Sequence, residues 1–211
     1  MSIASLSRFT VPLASGQSAA SQGMLMPKLK YRFRVMFENF GVSAGTTELT
    51  KQVAEAARPN VQMNGQKIEV YNSTINYAGK PVWQTFTVKL RDDVTGAVSK
   101  LVGEQMQKQF DFFEQSSAAS GADYKFTMRI EMLDGGNGAN TPNVLETWEC
   151  YGCFITQANY QALAYNGQDA MTIDLTIQPD NCVQVGPSAG LGTPGSPRTI
   201  NTNATGGGGA L

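Results

Sequence analysis

The sequence contains no histidine, which removes imidazole acid–base catalysis and imidazole metal ligation. Charge is sparse. Asp, Glu, Lys and Arg make up 16% of residues, against about a quarter in an ordinary soluble domain. Sixteen basic and seventeen acidic residues leave a net charge of -1, so the overall balance is not that of a nucleic-acid clamp. There are only three cysteines. An odd, small number argues against a disulfide framework, and a reducing compartment is the simpler expectation. No apolar run approaches the roughly 18 residues of a membrane helix, so no membrane insertion by this chain is expected. The N-terminus lacks a basic stretch followed by an apolar one, so no secretory signal is expected.

The charges that exist sit in the middle. Residues 1–27 carry only Arg8, and residues 185–211 carry only Arg198. Both ends are rich in Ser, Ala, Gly, Pro and Thr, and such segments bury too little apolar surface to offset their ordering entropy. The expected organisation is an N-terminal extension (1–27), a β domain (28–184) and a Gly/Pro/Ser/Thr-rich C-terminal extension (185–211). The extensions are expected to be disordered in an isolated subunit, or ordered against a neighbour.

The core is patterned for sheet. Tyr31, Phe33, Val35 and Phe37 alternate with polar residues, as do Val82, Phe86, Val88 and Leu90, then Tyr124, Phe126, Met128, Ile130 and Met132, and finally Met171, Ile173, Leu175 and Ile177. Residues 50–57 and 144–155 are further expected strands. Asn64-Gly65 predicts a two-residue hairpin turn, and Ala78-Gly79-Lys80-Pro81 a break. Over 93–115 the period changes to that of a helix capped by Asp93. Val94, Val98, Leu101, Val102, Met106, Phe112 and Phe113 fall on one side. The class is mainly β, a sandwich or barrel with one helix packed on it.

Reactive groupings are missing. Cys150 and Cys153 have C-x-x-C spacing, but a separation of three within a strand places them on opposite faces. No second pair or histidine completes a zinc site. Cys182 is isolated in the sequence. Asp92-Asp93 reads as helix capping, and no glycine pair has the setting of a phosphate loop. No catalytic, metal-binding or cofactor-binding residue is assigned, and neither an enzyme nor a cofactor is expected. A small β domain must still protect its strand edges, and pairing them with copies of itself in a closed ring is one solution.

Several stretches occur in a particular order. They are Tyr31-Arg32-Phe33-Arg34-Val35, Ala56-Ala57-Arg58-Pro59-Asn60, Lys67-Ile68-Glu69-Val70-Tyr71-Asn72, and Ala78-Gly79-Lys80-Pro81. After them come Phe86 to Asp93 running into the helix, Glu146 to Phe154, and the Ile173-Leu175-Ile177 strand. Over residues 28–183 this series resembles the tail tube proteins of contractile-tailed bacteriophages, the myovirus tail tube family. The resemblance implies a β-sandwich or barrel-like fold with one flanking helix. Four strands per subunit would join those of five neighbours in a continuous inner barrel. Hexameric rings would stack into a hollow conduit for DNA inside a contractile sheath. The implied partners are copies of itself, the sheath protein, baseplate and tail terminator proteins, and the tape measure protein and genomic DNA in the bore. The implied location is the virion tail, assembled in the bacterial host cytoplasm.

By position, residues 59–82 match the ring-stacking element, with Pro59, Asn60, Asn64, Gly65, Asn72, Gly79, Lys80 and Pro81 as its candidates. A lysine-lined bore would hold DNA by counterion release, so a passage should be neutral or acidic inside. Glu69, Thr85, Thr87, Thr172, Asp174 and Thr176 are the bore-lining candidates. Three other readings remain: a related secretion or injection tube carrying protein, a baseplate tube-initiation protein, and a monomeric β-sandwich binding module.

Overall fold

The computed structural model describes residues 5–10, 23–25, 27–43, 46–135, 141–186 and 190–192. In chain order the elements are β1 (Ser5–Thr10), β2 (Gly23–Leu25), β3 (Phe33–Glu38), α1 (Thr47–Gln52), β4 (Val53–Ala56), β5 (Val61–Val70), β6 (Ser73–Trp83) and β7 (Phe86–Arg91). There follow α2 (Ala97–Gln109), β8 (Phe110–Asp111), β9 (Ser116–Ser117), α3 (Gly121–Tyr124), β10 (Phe126–Leu133), β11 (Val144–Asn159), β12 (Thr172–Gln178) and β13 (Asn181–Val185). The fold is mainly β and its strand pairs are antiparallel.

Seven strands form the body. Their path runs β3-β10-β11-β12-β7-β4, with β13 also paired to β11. The sixteen-residue β11 serves both halves. Its first part pairs with β10 and β13, and its second part, from Phe154, pairs with β12. The crossing point is Gly152, at φ 64, which is left-handed backbone that glycine adopts without strain. A Cβ there would lie 2.3 Å from the Asp180 carboxylate. The sheet therefore rolls around β11 without closing, since β3 and β4, the ends of the path, do not pair.

The alternating residues fill the roll. Val35, Val88, Leu90, Met128, Ile130, Ile173, Leu175 and Ile177 are all buried, as the alternation predicts. Helix α2 adds Val98, Leu101, Val102 and Gln105 at helical spacing. The Gln105 amide is fully buried. Its oxygen accepts the Gly41 N–H at 3.0 Å and its nitrogen donates to the Tyr124 carbonyl at 2.6 Å.

Several sequence expectations need correction. Three helices, not one, are present among the described residues. Residues 50–57 are the end of α1 followed by the short β4, because Leu49 is drawn into the core before β4 pairs with β7. Helix α2 spans 97–109 only, so Val94, Phe112 and Phe113 lie outside it and are exposed. Gly96 holds the N-cap position, while the Asp93 carboxylate accepts the Ala97 N–H at 3.0 Å from farther back. Asn64-Gly65 is not a turn. It lies inside β5, and the hairpin instead reverses at Tyr71-Asn72. The supposed break at 78–81 lies inside β6, which runs on to Trp83, so Val82 belongs to the hairpin and not to β7; Tyr124 ends α3, and β10 starts only at Phe126. The pairing slips by one residue between Met63 and Gly65, and Gly79 makes this possible, since a Cβ there would lie 2.5 Å from the Asn64 carbonyl oxygen. Cys150 and Cys153 are both buried, not on opposite faces, because the bend at Gly152 intervenes. Cys182 is not isolated in space, being the cross-strand partner of Cys150.

The extension 1–27 contains regular structure, since β1 and β2 pair with each other. Past Val185, the Gln184 N–H donates to the Leu191 carbonyl at 2.8 Å. Residues 187–189 and 193–211 of the C-terminal extension lie outside the described residues.

Glu104 joins α2 to the loop after β3. Its carboxylate accepts the backbone N–H groups of Val42 (2.9 Å) and Ser43 (2.8 Å) and the Ser43 hydroxyl (2.6 Å). These bonds, from the Ser43 hydroxyl first, hold its pKa down at about 2 from an ordinary 4.5. A depressed carboxyl pKa contributes stability above the unfolded value and loses it as pH falls through the folded one. The expected result is a thermal midpoint that declines between about pH 4.5 and 2, with Glu104→Gln flattening that decline. Solvent screening at this surface cluster trims the effect to about 1 kcal/mol. Unfolding curves of both proteins across the acid range check it.

Candidate functional site: an assembly surface

Strands β7 and β12 present one polar face. Their register pairs Thr87 with Thr176, Lys89 with Asp174 and Arg91 with Thr172. Neighbouring strands extend it, with Glu55 of β4 opposite Lys89, and Gln157 and Asn159 of β11 opposite Thr176 and Asp174. Thr85 precedes β7 in the same phase as Thr87, and both are exposed. Five of the six bore-lining candidates, Thr85, Thr87, Thr172, Asp174 and Thr176, thus share one face. Glu69 does not join them, because it lies on β5 opposite Thr74.

The charges on this face cancel. Lys89 and Arg91 stand beside Glu55 and Asp174. The Lys89 Nζ lies 3.8 Å from the Asp174 carboxylate, which also accepts a hydrogen bond from the Gln161 side-chain amide. Gln161 belongs to the connection 160–171, which borders a 730 Å³ recess with Lys89 and Thr172.

Backbone at the two margins of this half-sheet is open. Among the described residues, β4 pairs only with β7, and the second part of β11 pairs only with β12. The β11 margin is guarded at one residue. The Gln109 amide accepts the Ile155 N–H and donates to the Ile155 carbonyl, both at 2.9 Å, as a paired strand would. Beyond Ile155 the edge offers pairing groups to another strand.

All eight ring-stacking candidates belong to the β5–β6 hairpin or its base. Pro59 and Asn60 lead into β5, and the Asn60 carbonyl accepts the Gln84 N–H at 2.9 Å, closing the base. Asn64 and Gly65 lie in β5, Asn72 at the tip, and Gly79, Lys80 and Pro81 in β6. The hairpin is nearly all exposed. Ile68 faces Ile75 across the strands, with Val70 and Tyr77 on the same side. These four side chains are between 47% and 57% exposed, a contiguous apolar patch that no described residue covers.

All three thiols are buried. Cys150, hydrogen-bonded with the Cys153 and Cys182 thiols and buried, has its pKa pushed well up. Among the described residues no group of three or more metal-ligating side chains forms a metal site, and no helix is long and apolar enough to cross a membrane.

No family model matches the sequence, and no curated protein matches it. Solved structures do. A chain of the extracellular contractile injection system PVC sheath/tube terminator in its extended state aligns with a TM-score of 0.54 and 14% identity. The match covers 76% of this chain and 98% of that one. The fold is shared with chains of contractile injection assemblies. A chain of the PVC sheath–tube complex in its extended state has the same fold, with a TM-score of 0.52, 16% identity, and coverage of 76% and 92%. The tube-terminating cap of the anti-feeding prophage gives a TM-score of 0.54 at 14% identity, covering 81% of this chain and 97% of that one.

The sequence misses some residues of this surface. Gln109 ends α2 and gives no sign that its amide will imitate a strand. β13 is short and follows the last clear alternation. The residues lining the gap between β3 and β4 are scattered from 28 to 132, and only the rolled sheet brings them together.

Proposed function

We propose that this chain is a structural, non-enzymatic subunit of the inner tube of a contractile tail. Six copies form a ring by pairing the β4 edge of one subunit with the β11 edge of the next. Rings stack through the β5–β6 hairpin. The polar β7–β12 face lines the bore, and the sheath lies outside. Terminator and baseplate proteins close the ends, and a tape measure protein occupies the lumen before DNA passes. The working location is the virion tail, after assembly in the host cytoplasm.

The observation that carries this reading is a four-stranded half-sheet with two open edges and a charge-cancelled polar face. Four strands from each of six copies give a barrel of about 24. With strands about 4.8 Å apart and tilted about 45°, the circumference is roughly 160 Å and the bore about 40 Å. A B-form duplex fits that width. Balanced Lys89 and Asp174 give passing phosphates no net cationic surface to neutralise.

A second reading is favoured by the PVC and anti-feeding prophage likenesses, namely the tube of an injection device with protein cargo. Sequencing or mass analysis of material retained in purified particles separates the two, as nucleic acid or as protein. Sedimentation of the purified chain tests the reading they share. Rings and stacked rings at high concentration support it, whereas a persistent 23 kDa monomer overturns it. Thr87→Lys with Thr176→Lys provides a functional check in assembled particles. If DNA is the cargo, ejection slows several-fold at low salt and recovers as salt rises.

A further inference from the structure

The gap where the rolled sheet fails to close is a groove of about 970 Å³. Its floor is apolar, with Phe33, Val35 and Ile130 among its lining. Its rim is cationic. Six basic side chains line it against one carboxylate, Glu55. Lys28 and Arg58 lie on the buried Glu146, Arg34 bonds Glu131, and Lys51 is engaged as well. Lys30 and Arg91 make no ion pair among the described residues. The groove is therefore built for an apolar segment that carries negative charge.

The chain displays such a segment elsewhere. Past α2, the run Phe110-Asp111-Phe112-Phe113-Glu114 stands out from the body. Phe112 and Phe113 are 58% and 94% exposed. The turn is preorganised, because the Asp111 carboxylate accepts the backbone N–H groups of Phe113 (2.9 Å) and Glu114 (3.1 Å). It follows directly on Gln109, which is bonded to Ile155 in β11, the middle of the strand path. The groove lies between β3 and β4, the ends of that path. Knob and groove are thus on opposite sides of the roll, and a single chain cannot bring its own two together.

We infer that the Phe110–Glu114 knob of one copy docks in the β3–β4 groove of the next copy. The phenyl rings cover the apolar floor, and Asp111 and Glu114 meet Lys30 and Arg91 at the rim. This is a head-to-tail contact, the kind that closes into a ring. It rests on the proposed tube function and adds a second contact to the ring. The operation that brings a β11 edge to a β4 edge also brings the knob, which is next to Ile155, toward the groove, which borders β4. The charge pairing fixes which edge meets which, a specificity that generic strand pairing lacks.

The test is a charge swap in the full-length chain, read by sedimentation. Lys30→Glu with Arg91→Glu, and separately Asp111→Lys with Glu114→Lys, each raise the concentration needed for ring formation by about tenfold or more. The four substitutions together restore assembly in large part. Equal mixing of the groove variant with the knob variant restores assembly, because each variant's knob is opposite in charge to the other's groove and six alternating copies close a ring. Phe113→Ser keeps every charge and the local turn, yet also weakens assembly. The inference is overturned, with the tube reading intact, if rings form normally from both charge variants or the fourfold variant assembles no better than either. It is also overturned if loss of residues 1–26 abolishes assembly while the knob variants do not, which makes the chain's own N-terminal segment the occupant. A wild-type chain that never leaves the monomer overturns both readings.

Discussion

Replacing Ile68 and Ile75 with glutamate stops rings from stacking while the subunit stays folded. The two residues face each other across the β5–β6 hairpin and are 51% and 57% exposed. Among the described residues the hairpin pairs with itself and with no strand of the body. Two carboxylates here therefore cost the isolated chain little. In a stack they would sit opposed in an apolar contact, where each buried charge without a partner costs several kcal/mol. Summed over the six copies of a ring, that excludes long tubes at any practical concentration. Electron microscopy of the variant should show single rings or short stacks, with an unchanged thermal midpoint. Full-length tubes from I68E/I75E would show that the hairpin face is not the stacking contact.

Gln105→Leu should cause a large loss of stability for a single α2 substitution. Gln105 is the one fully buried polar side chain on the inner side of α2, and it satisfies the Gly41 N–H and the Tyr124 carbonyl at once. Leucine nearly preserves the volume but takes this partner away from both the Gly41 N–H and the Tyr124 carbonyl. At about 1–3 kcal/mol for each orphaned group, the loss is about 3 kcal/mol. For a domain of this size it lowers the thermal midpoint by roughly 6–12 °C. Lys100→Leu, on the exposed side of the same helix, serves as the control and should change little. Equal midpoints for wild type and Q105L would remove the amide from any structural role.

Parts of this architecture are readable from residue order because one force sets them. The inward residues of β3, β7, β10 and β12 recur every second position, and only one phase buries them. The outward residues of β7 and β12 follow by the same parity, which is why the Thr85–Thr87 and Thr172–Asp174–Thr176 groups come out on one face. What depends on long-range pairing is not readable. Asn64-Gly65 is a strong local turn signal, yet nine cross-strand pairs along β5 and β6 place the reversal at Tyr71-Asn72. Phe112 and Phe113 continue the apolar side of α2 on paper, but the backbone leaves the helix at Phe110. The C-x-x-C pair looks split between faces until Gly152 bends the strand. The open β3–β4 gap is a property of the rolled sheet, and no local pattern encodes it.

The most direct measurement is a cryo-electron map of the assembled protein at side-chain resolution. The account predicts six-fold rings in which β4, β7, β12 and the second half of β11 form a shared barrel, with Thr87, Lys89, Asp174 and Thr176 facing the lumen. A map with the β7–β12 face turned outward, or a single chain whose β4 and β11 margins are covered by its own residues, would contradict it.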